Sequence, residues 1–410
     1  MLKLFNTMTR SLDDFKPRNG GVVKIFTCGP SIYRRPHIGN YRTFMYEDIL
    51  VKYLEYKGLR VDRAIPLTDI EDKTILEAIK KKKEIDDLTA DVEKIFYTET
   101  RSLNIKLPRK VQRSTHCVQC AARLIKNLME TGHAYQYGRD IFFDPLTYKD
   151  FGKLYRLDKG RWPKKKIRFK RDTYNGNRWN LGDFILWHGY REGDLKWWET
   201  VVGKGRPSWN IQDPSIVIAH LGAQIDINCG GIDNIYRHHD YNIAILESYS
   251  GTTYANYYLH GEHLIVNGRP MSKSRGNILF PEDIYRHGCR SRDLRFFLFY
   301  TQYRKKLNFT RERFKESCNN LETFRKLAHQ LIRPTGSTLN RDRRIQAVIN
   351  SIRRVFETEM DNDLNVGSAF DGMLKLFLEL KENKNRMVSR DARDIAKVLK
   401  KIDSVLGVIF

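Results

Sequence analysis

Long hydrophobic runs are missing from this sequence of 410 residues. No segment approaches the roughly 20 consecutive apolar residues that a membrane-spanning helix needs. The N-terminal stretch also lacks the apolar core of a secretory signal peptide. Both absences predict a soluble protein of the cytoplasm without a membrane partner.

Cysteine is scarce as well, and internal repeats and low-complexity segments are absent. The six cysteines are Cys28, Cys117, Cys120, Cys229, Cys289 and Cys318. Their irregular spacing excludes a secreted scaffold held together by disulfides. The length of the chain indicates two or three domains instead.

Acidic residues are too few to balance the basic ones. The chain has 49 Asp and Glu against 73 Lys and Arg, a formal net charge of +24. Such a surplus favours a polyanionic partner, with nucleic acid first and an anionic membrane second. A lysine-rich genome or a hot habitat would give the same surplus. Basic runs at 80–83 and 164–171 are suited to a phosphate backbone, although the first is also typical of a solvated helix end.

The first third of the chain has the pattern of a parallel sheet. Residues 22–28 form an apolar, β-branched run, 41–57 have helical periodicity, and 61–73 form a second strand that ends in acidic residues. Strand, helix and strand in this order predict a βαβ unit. Ligands of such sheets bind at the carboxyl ends of the strands, where Cys28 and Thr68 fall.

The remaining segments predict an interrupted α/β fold with a helical end. Residues 74–135 are mostly helical in pattern, whereas 140–200 are irregular, aromatic and basic, which is typical of an insertion. Strand patterns return at 221–235 and 263–268. From about 310 onward, charged helices with periodic Leu, Phe and Ile predict a helical bundle.

Two short motifs have the residues of a phosphate site. RRPHIGNY (34–41) places His37 and Gly39 at a predicted helix N-terminus, which favours an anion. RPMSKSRGN (269–277), called the MSKS loop below, contains Lys273 between two serines, a cation suited to a leaving pyrophosphate. Taken singly, the first motif also fits a structural turn and the second a basic surface loop.

Together the two motifs form the paired signature of class I aminoacyl-tRNA synthetases, and the chain resembles cysteinyl-tRNA synthetases. The stretches that carry the resemblance are TCGPSIYRRPHIGNYRTF, LTDIEDK, DIFFDPLTYKDFGKL, GKGRPSWNIQDPS, GGIDNIYRHHDYNIA and MDNDLNVGSAFD. They follow the family's order and cover nearly the whole chain.

The resemblance implies an α/β fold with a Rossmann-type parallel-sheet catalytic domain, an insertion and a C-terminal helical bundle. The expected boundaries are 1–265 for the catalytic domain, with its insertion at roughly 95–205, then 266–310 for the MSKS loop and a connecting region, and 311–410 for the bundle. The implied reaction joins an amino acid to ATP as an aminoacyl-adenylate and transfers it to tRNA. ATP would come with Mg²⁺, and we expect a monomer.

The resemblance also implies roles for particular residues. The catalytic residues would be His37, Asn40 and Lys273. The residues that bind ATP would be His37, Gly39, Gly231, Asp233, Ser272 and Lys273. The residues near the amino acid would be Cys28, Thr68 and Trp209.

The chain departs from the family at the zinc site, which holds the substrate thiolate in the family. The family's ligands are Cys, Cys, His and Glu. Here Cys28 keeps the first position, Asp213 stands at the second, His238 keeps the third and Asn242 replaces the glutamate. Aspartate is a credible zinc ligand, whereas a neutral amide is a poor one. Cys229, which replaces a nearby glycine, is an alternative ligand.

Two neighbouring substitutions leave two interpretations open. Asn210 and Gln212 stand where the family has a histidine and a glutamate. Either a weaker zinc site persists with cysteine as substrate, or zinc is lost and the amino acid differs. Neutral amides suit a hydrogen-bonded polar substrate better than a metal. The chain would thus be a divergent paralogue.

The second departure is at the C-terminal end, where the sequence stops at the end of the family's helical bundle. The resemblance does not extend to the family's C-terminal anticodon-binding module. We therefore expect tRNA selection to depend on the acceptor stem and the bundle. Two other hypotheses remain. One is a ligase that joins an amino acid to a small amine without tRNA, as in the similar mycothiol cysteine ligase. The other is a non-catalytic RNA-binding paralogue.

Overall fold

The computed structural model describes residues 1–158, 183–333 and 341–410. Its strands are β1 (Lys3–Asn6), β2 (Ser11–Asp14), β3 (Val22–Thr27), β4 (Arg60–Leu67), β5 (Lys110–Arg113), β6 (Ala134–Tyr137), β7 (Asp140–Phe143), β8 (Phe184–Gly189), β9 (Gly205–Pro207), β10 (Ile225–Gly231), β11 (Ala255–Gly261), β12 (Leu264–Val266), β13 (Arg269–Pro270) and β14 (Leu307–Phe309). Its helices are α1 (Ile38–Tyr56), α2 (Asp72–Lys81), α3 (Ile85–Ser102), α4 (Val118–Glu130), α5 (Trp209–His220), α6 (Asp240–Ser250), α7 (Pro281–Tyr285), α8 (Ser291–Tyr300), α9 (Arg311–Leu331), α10 (Arg343–Asp361), α11 (Val366–Glu382) and α12 (Ser389–Leu406). The basic run 164–171 lies outside the described residues.

Five parallel strands form the central sheet, in the order β11-β10-β3-β4-β5. The chain builds β3, β4 and β5 to one side and then adds β10 and β11 on the other side of β3. The order therefore reverses between β3 and β10. Ligands of open parallel sheets bind at the carboxyl ends of the strands at such a reversal. The predicted fold class, a parallel α/β sheet followed by a helical region, is confirmed.

Helix α1 lies at the centre of the molecule, between the sheet and the helices α8 and α12. It is buried on nearly all sides rather than on one face, so its charged residues need buried partners. Asp48 accepts from Arg295 at 2.8 Å, and Glu47 accepts from Arg63 at 3.2 Å. These ion pairs fix α1 against both the sheet and the C-terminal helices.

The segment predicted as an insertion contains regular structure. The prediction of irregular structure for 140–200 is wrong at β7 and β8, which form a four-stranded antiparallel sheet with β6 and β9. Both faces of β8 are largely buried, which removes the alternation of polar and apolar residues that marks a half-exposed strand. The aromatic density reflects a second core instead.

The C-terminal part contains a small sheet of β12, β13 and β14 and then the helices α9 to α12, as the helical pattern predicts. The MSKS loop follows β12 and passes through β13. Strand β11, which the sequence analysis did not identify, adds the outer parallel strand next to β10. Among the described residues, no helix combines the length and the apolar character that crossing a bilayer requires.

Candidate active site

A cavity of about 1950 Å³ opens at the carboxyl ends of β3 and β10. The residues from the predicted site that line it are Cys28, His37, Asn40, Trp209, Gly231, Asp233, His238 and Lys273. Pockets for one small molecule typically measure roughly 300–1,000 Å³, so this cavity has room for more than one substrate.

His37 is the N-cap of α1. Its Nδ1 accepts hydrogen bonds from the backbone N–H groups of Gly39 at 3.1 Å and Asn40 at 3.3 Å. The Asn40 Oδ1 in turn accepts from the His37 N–H at 3.0 Å. Burial lowers the pKa of His37, which keeps the ring neutral at pH 7. With Nδ1 as acceptor, the proton of the neutral ring is on Nε2, which is left to donate to a ligand in the cavity.

The MSKS loop lies against the beginning of α1. A Cβ on Gly39 would come within 2.7 Å of the Met271 Cε, so the loop packs directly on the first turn of α1. The Asn277 Oδ1 accepts from the Ser272 N–H at 2.9 Å and shapes the loop. Ser272 is not among the cavity-lining residues, whereas the exposed Lys273 is. The two phosphate motifs thus meet at one edge of the cavity.

The end of β10 allows three side chains to converge. A Cβ on Gly230 would lie 2.7 Å from the His239 Cε1 and 3.0 Å from the Cys28 Sγ. A Cβ on Gly231 would lie 2.6 Å from the Asp233 Oδ1. The glycine pair therefore makes room for the thiol and imidazole on one side and for the exposed Asp233 carboxylate on the other.

Cys28 follows β3 and lies in a cluster with two histidines. Its Sγ and one ring nitrogen each of His238 and His239 lie within 4.8 Å of one another. The Asn234 Nδ2 donates to the Cys28 Sγ at 3.3 Å, and the His239 Nε2 lies 3.4 Å from the same sulfur. Burial, reinforced by the Asp213 carboxylate, raises the pKa of the Cys28 thiol well above its usual value. A nearby cation would be needed to favour the thiolate.

His238 connects this cluster to Asp213 and Trp209. Its Nε2 lies 2.9 Å from the Asp213 Oδ2, and its ring stacks on Trp209 with centroids 4.2 Å apart. Among the described residues, the buried His238 Nδ1 and the buried Asn242 Oδ1 have no hydrogen-bond partner. Asp213 therefore contacts His238 but does not belong to the group of Cys28, His238 and His239, which differs from the predicted set of Cys28, Asp213 and His238.

The donor atoms of Cys28, His238 and His239 fit a zinc ion. A thiol and imidazole nitrogens are zinc ligands, and three protein ligands with one open position are typical of catalytic zinc sites. The partnerless Asn242 Oδ1 adds a further buried acceptor one helical turn after His238. Cys229 does not belong to the candidate ligand group found among the described residues, and its side chain bonds to Tyr46 instead.

Thr68 lies behind the wall of the cavity. Its N–H donates to the Pro30 carbonyl at 3.1 Å, and its own carbonyl accepts from the Ile32 N–H at 2.9 Å. These bonds tie the turn after β3 to the end of β4. Thr68 thus supports the segment that carries Cys28 and does not itself line the cavity.

Sequence reasoning missed a buried chain of side chains behind Cys28. The His239 Nδ1 lies 2.8 Å from the His260 Nε2, and the His260 Nδ1 lies 2.7 Å from the Thr7 Oγ1. The doubled histidine was a signal for His239. Thr7 and His260 are far apart in sequence and gave no signal, because only the pairing of β10 with β11 brings His260 to the site.

Comparisons with known proteins relate both the sequence and the fold to one class of enzymes. Residues 14–319 match the family described as tRNA synthetases class I (C) catalytic domain. The cysteine–tRNA ligase of Chlamydia felis (strain Fe/C-56) is 34% identical over 416 residues, covering 100% of this chain and 86% of that protein. The cysteine–tRNA ligase of Chlamydia muridarum (strain MoPn / Nigg) is 33% identical over 423 residues, covering 100% and 88%.

A solved structure supports the fold. The Mycobacterium tuberculosis methionyl-tRNA synthetase in complex with methionyl-adenylate superimposes with a TM-score of 0.68 at 14% identity. The match covers 94% of this chain and 89% of that one. At this identity the likeness concerns the fold alone.

Proposed function

Since the chain belongs to the cysteinyl-tRNA synthetase family of class I aminoacyl-tRNA synthetases, we propose that it activates cysteine with ATP and transfers it to tRNA. The family predicted from the motifs is confirmed, and with it the class of ATP-dependent aminoacyl-tRNA ligases. Cysteine as the amino acid is the proposal. The observation that carries the proposal is that the two phosphate motifs and the Cys28 cluster line the same cavity.

The phosphate motifs supply the activation step. The carboxylate oxygen of the amino acid attacks the α-phosphorus of ATP, the bond to the bridging oxygen breaks and pyrophosphate leaves. The Nε2–H of His37 donates to a phosphoryl oxygen as negative charge builds there. Lys273 neutralises the departing pyrophosphate, and Asp233 beside Gly231 accepts from the adenosine moiety. Mg²⁺ enters with ATP as part of the substrate.

The Cys28 cluster receives the amino acid side chain. Cys28, His238 and His239 would hold a zinc ion, which when bound supplies a soft Lewis acid that takes a thiolate in preference to a hydroxyl. Asp213 would orient the His238 ring through its contact with Nε2. Trp209 fixes the plane of the His238 ring by stacking. Asn234 donates to the Cys28 sulfur and so orients it.

The amide nitrogens of Asn210 and Gln212 bond to the fold. The Asn210 Nδ2 donates to the Ile185 carbonyl at 2.9 Å, and the Gln212 Nε2 donates to the Ile70 carbonyl at 2.6 Å. Asn210 also lines the cavity, and the buried Gln212 Oε1 has no hydrogen-bond partner among the described residues. The choice of cysteine as substrate therefore rests on the Cys28 cluster and not on these two amides.

Charging of tRNA tests the proposal. Purified protein, ATP with Mg²⁺, bulk tRNA and each of the labelled amino acids cysteine, serine and methionine are incubated, and label on precipitated tRNA is counted. We expect label from cysteine and none above background from serine. Label from a different amino acid, or label on small amines but not on tRNA, would overturn the proposal.

A further inference from the structure

Two cysteines outside the active site lie where the segment after the MSKS loop joins the helical bundle. Cys289 lies between α7 and α8, and Cys318 lies in the first half of α9. Both are free thiols and both are half-buried, so small molecules in solution reach them. Neither is among the residues that line the active-site cavity, and the proposed function gives them no role.

The side chains of these two cysteines are in direct contact. The Cys289 and Cys318 thiols share a hydrogen bond, and both residues pack against the main hydrophobic core. The helices that follow them confirm this arrangement, since Arg292 of α8 lies 3.9 Å from Glu322 of α9, one helical turn after Cys318. The packing of α8 on α9 therefore holds the two thiols together. A disulfide requires two cysteines whose side chains already approach each other in this way.

The segment that contains Cys289 begins in the wall of the active-site cavity. Phe280 lines that cavity, and the carbonyl of the preceding Leu279 accepts from the Ile38 N–H of α1 at 2.9 Å. The helix α7 then leads to Cys289, nine residues after Phe280. A covalent bond between Cys289 and Cys318 would thus tie the segment after the MSKS loop to α9.

The two thiols differ in how readily they lose a proton. Burial raises the pKa of both thiols and, together with the charge of Asp293, brings the pKa of Cys318 to about 12. The hydrogen bond between the thiols acts on them in opposite directions, because it lowers the pKa of Cys289 and raises that of Cys318. The thiolate is the nucleophile of thiol–disulfide exchange. Cys289 is therefore the attacking thiol, and Cys318 reacts second.

We propose that Cys289 and Cys318 are a modification site that a low-molecular-weight disulfide oxidises reversibly to an intramolecular disulfide. The Cys289 thiolate attacks one sulfur of the small disulfide, whose S–S bond breaks, and one small thiol leaves after taking up the proton. Cys318 then loses its proton to solvent and attacks the Cys289 sulfur, and the second small thiol leaves. The protein gives up two electrons and two protons, which reduce the small disulfide to two thiols.

Oxidation by glutathione tests the proposal. The purified full chain is incubated with increasing ratios of oxidised to reduced glutathione, remaining thiols are alkylated, and digested peptides are identified by mass spectrometry. Non-reducing gels show whether a disulfide joins one chain or two. The variants are Cys289→Ser and Cys318→Ser, and the matched control is Cys120→Ser, which removes another half-buried thiol. Thermal unfolding is followed for each protein before and after oxidation.

We expect wild-type protein and Cys120→Ser to yield a peptide pair joined through Cys289 and Cys318, at the gel mobility of a single chain. Dithiothreitol should restore both thiols. The disulfide closes a loop of about 30 residues, so the unfolding midpoint should rise by roughly 3 °C or more on oxidation. Cys289→Ser and Cys318→Ser should show neither the joined peptides nor the rise.

Three results would overturn the inference. The first is the absence of the joined peptides from wild-type protein at every glutathione ratio, including the case in which each cysteine carries its own glutathione. The second is a disulfide that joins two chains. The third is a rise in the unfolding midpoint that is as large in Cys289→Ser as in wild type.

Discussion

At the scale of single residues, the proposed function gives the two ring nitrogens of His37 different roles. Nδ1 accepts from the first N–H groups of α1, and Nε2 is left for the cavity. An N-cap residue contributes about 1 kcal/mol of stability, whereas one aimed donor at a reacting phosphate contributes a factor of roughly 10² to 10³ in rate. Substitutions can therefore separate the two roles.

We predict that His37→Asn preserves the N-cap of α1 and lowers the rate of ATP–pyrophosphate exchange. Asparagine is a good N-cap residue but has no donor at the position of Nε2. ATP–pyrophosphate exchange should fall by roughly 10²-fold or more, while the free energy of unfolding in urea changes by less than about 1 kcal/mol. His37→Ala is the companion variant and should lose both. Normal exchange in His37→Asn would remove His37 from the chemistry.

The proposed zinc site is a second feature that substitutions of single residues can test. Asn242→Glu places a carboxylate where a neutral amide oxygen lacks a partner. Transfer of zinc to a chelator should become roughly tenfold slower, because a charged ligand holds the ion more tightly. Cys28→Ser should lose zinc, and Cys289→Ser, with its thiol away from the cavity, should retain it. Wild-type protein that takes up no zinc from zinc-containing buffer would rule out the site.

At the scale of elements, the turn after β3 depends on the absence of a side chain. A Cβ on Gly29 would lie 1.6 Å from the Pro66 carbonyl oxygen of β4. Backbone cannot move aside as a flexible side chain can, so Gly29→Ala should destabilise the protein by about 3 kcal/mol or more. Gly20→Ala, with nothing within 4 Å, is the control and should be nearly neutral. Chemical denaturation of both variants checks this prediction.

The antiparallel sheet of β6 to β9 should respond to acid through His188 on β8. Burial, with Arg206 as a second cause, lowers the pKa of His188 to about 4. Between this value and the ordinary value near 6.5, the unfolded chain binds a proton that the folded chain does not. The contribution of His188 to stability is therefore full above pH 6.5 and is lost as the pH falls toward 4.

We expect the free energy of unfolding to fall by about 2 kcal/mol more in wild-type protein than in His188→Gln between pH 6.5 and pH 4.5. Urea titrations at the two pH values measure the difference. His116→Gln removes an exposed histidine and should behave like wild type. Parallel losses in His188→Gln and wild type would show that His188 is not the responsive group.

The elements differ in how far the sequence could predict them. β3, α1 and β10 have local signals, namely a β-branched run, a helical period and a Gly-Gly turn, and all three were predicted. The strands β6 to β9 were not predicted. β6, β7 and β9 span only three or four residues, and β8 is buried at five of its six residues and shows no alternation. β11 was missed for the same reason, since six of its seven residues are buried.

In the candidate site, too, local motifs could be predicted from the sequence and contacts between remote segments could not. His37 and Lys273 belong to local motifs, and their meeting at one cavity follows from the class of fold. The pairing of His238 with Asp213, the stacking on Trp209 and the contact of His239 with His260 join segments remote in sequence. Only the folded chain shows that the amide nitrogens of Asn210 and Gln212 donate hydrogen bonds to backbone carbonyls.

At the scale of the whole molecule, α1 connects the active-site cavity with the C-terminal helices. Its N-terminus carries His37 at the cavity, and its buried Asp48 bonds to Arg295 of α8. The monomeric state stays a prediction.

ATP–pyrophosphate exchange with each of the 20 amino acids tests the central claim most directly. We expect exchange with cysteine alone, reduced at least 100-fold in Lys273→Ala, which removes the cation that faces the leaving pyrophosphate. Exchange with another amino acid would contradict cysteine as the substrate. Exchange with none, from folded protein supplied with zinc and Mg²⁺, would contradict the activation step itself.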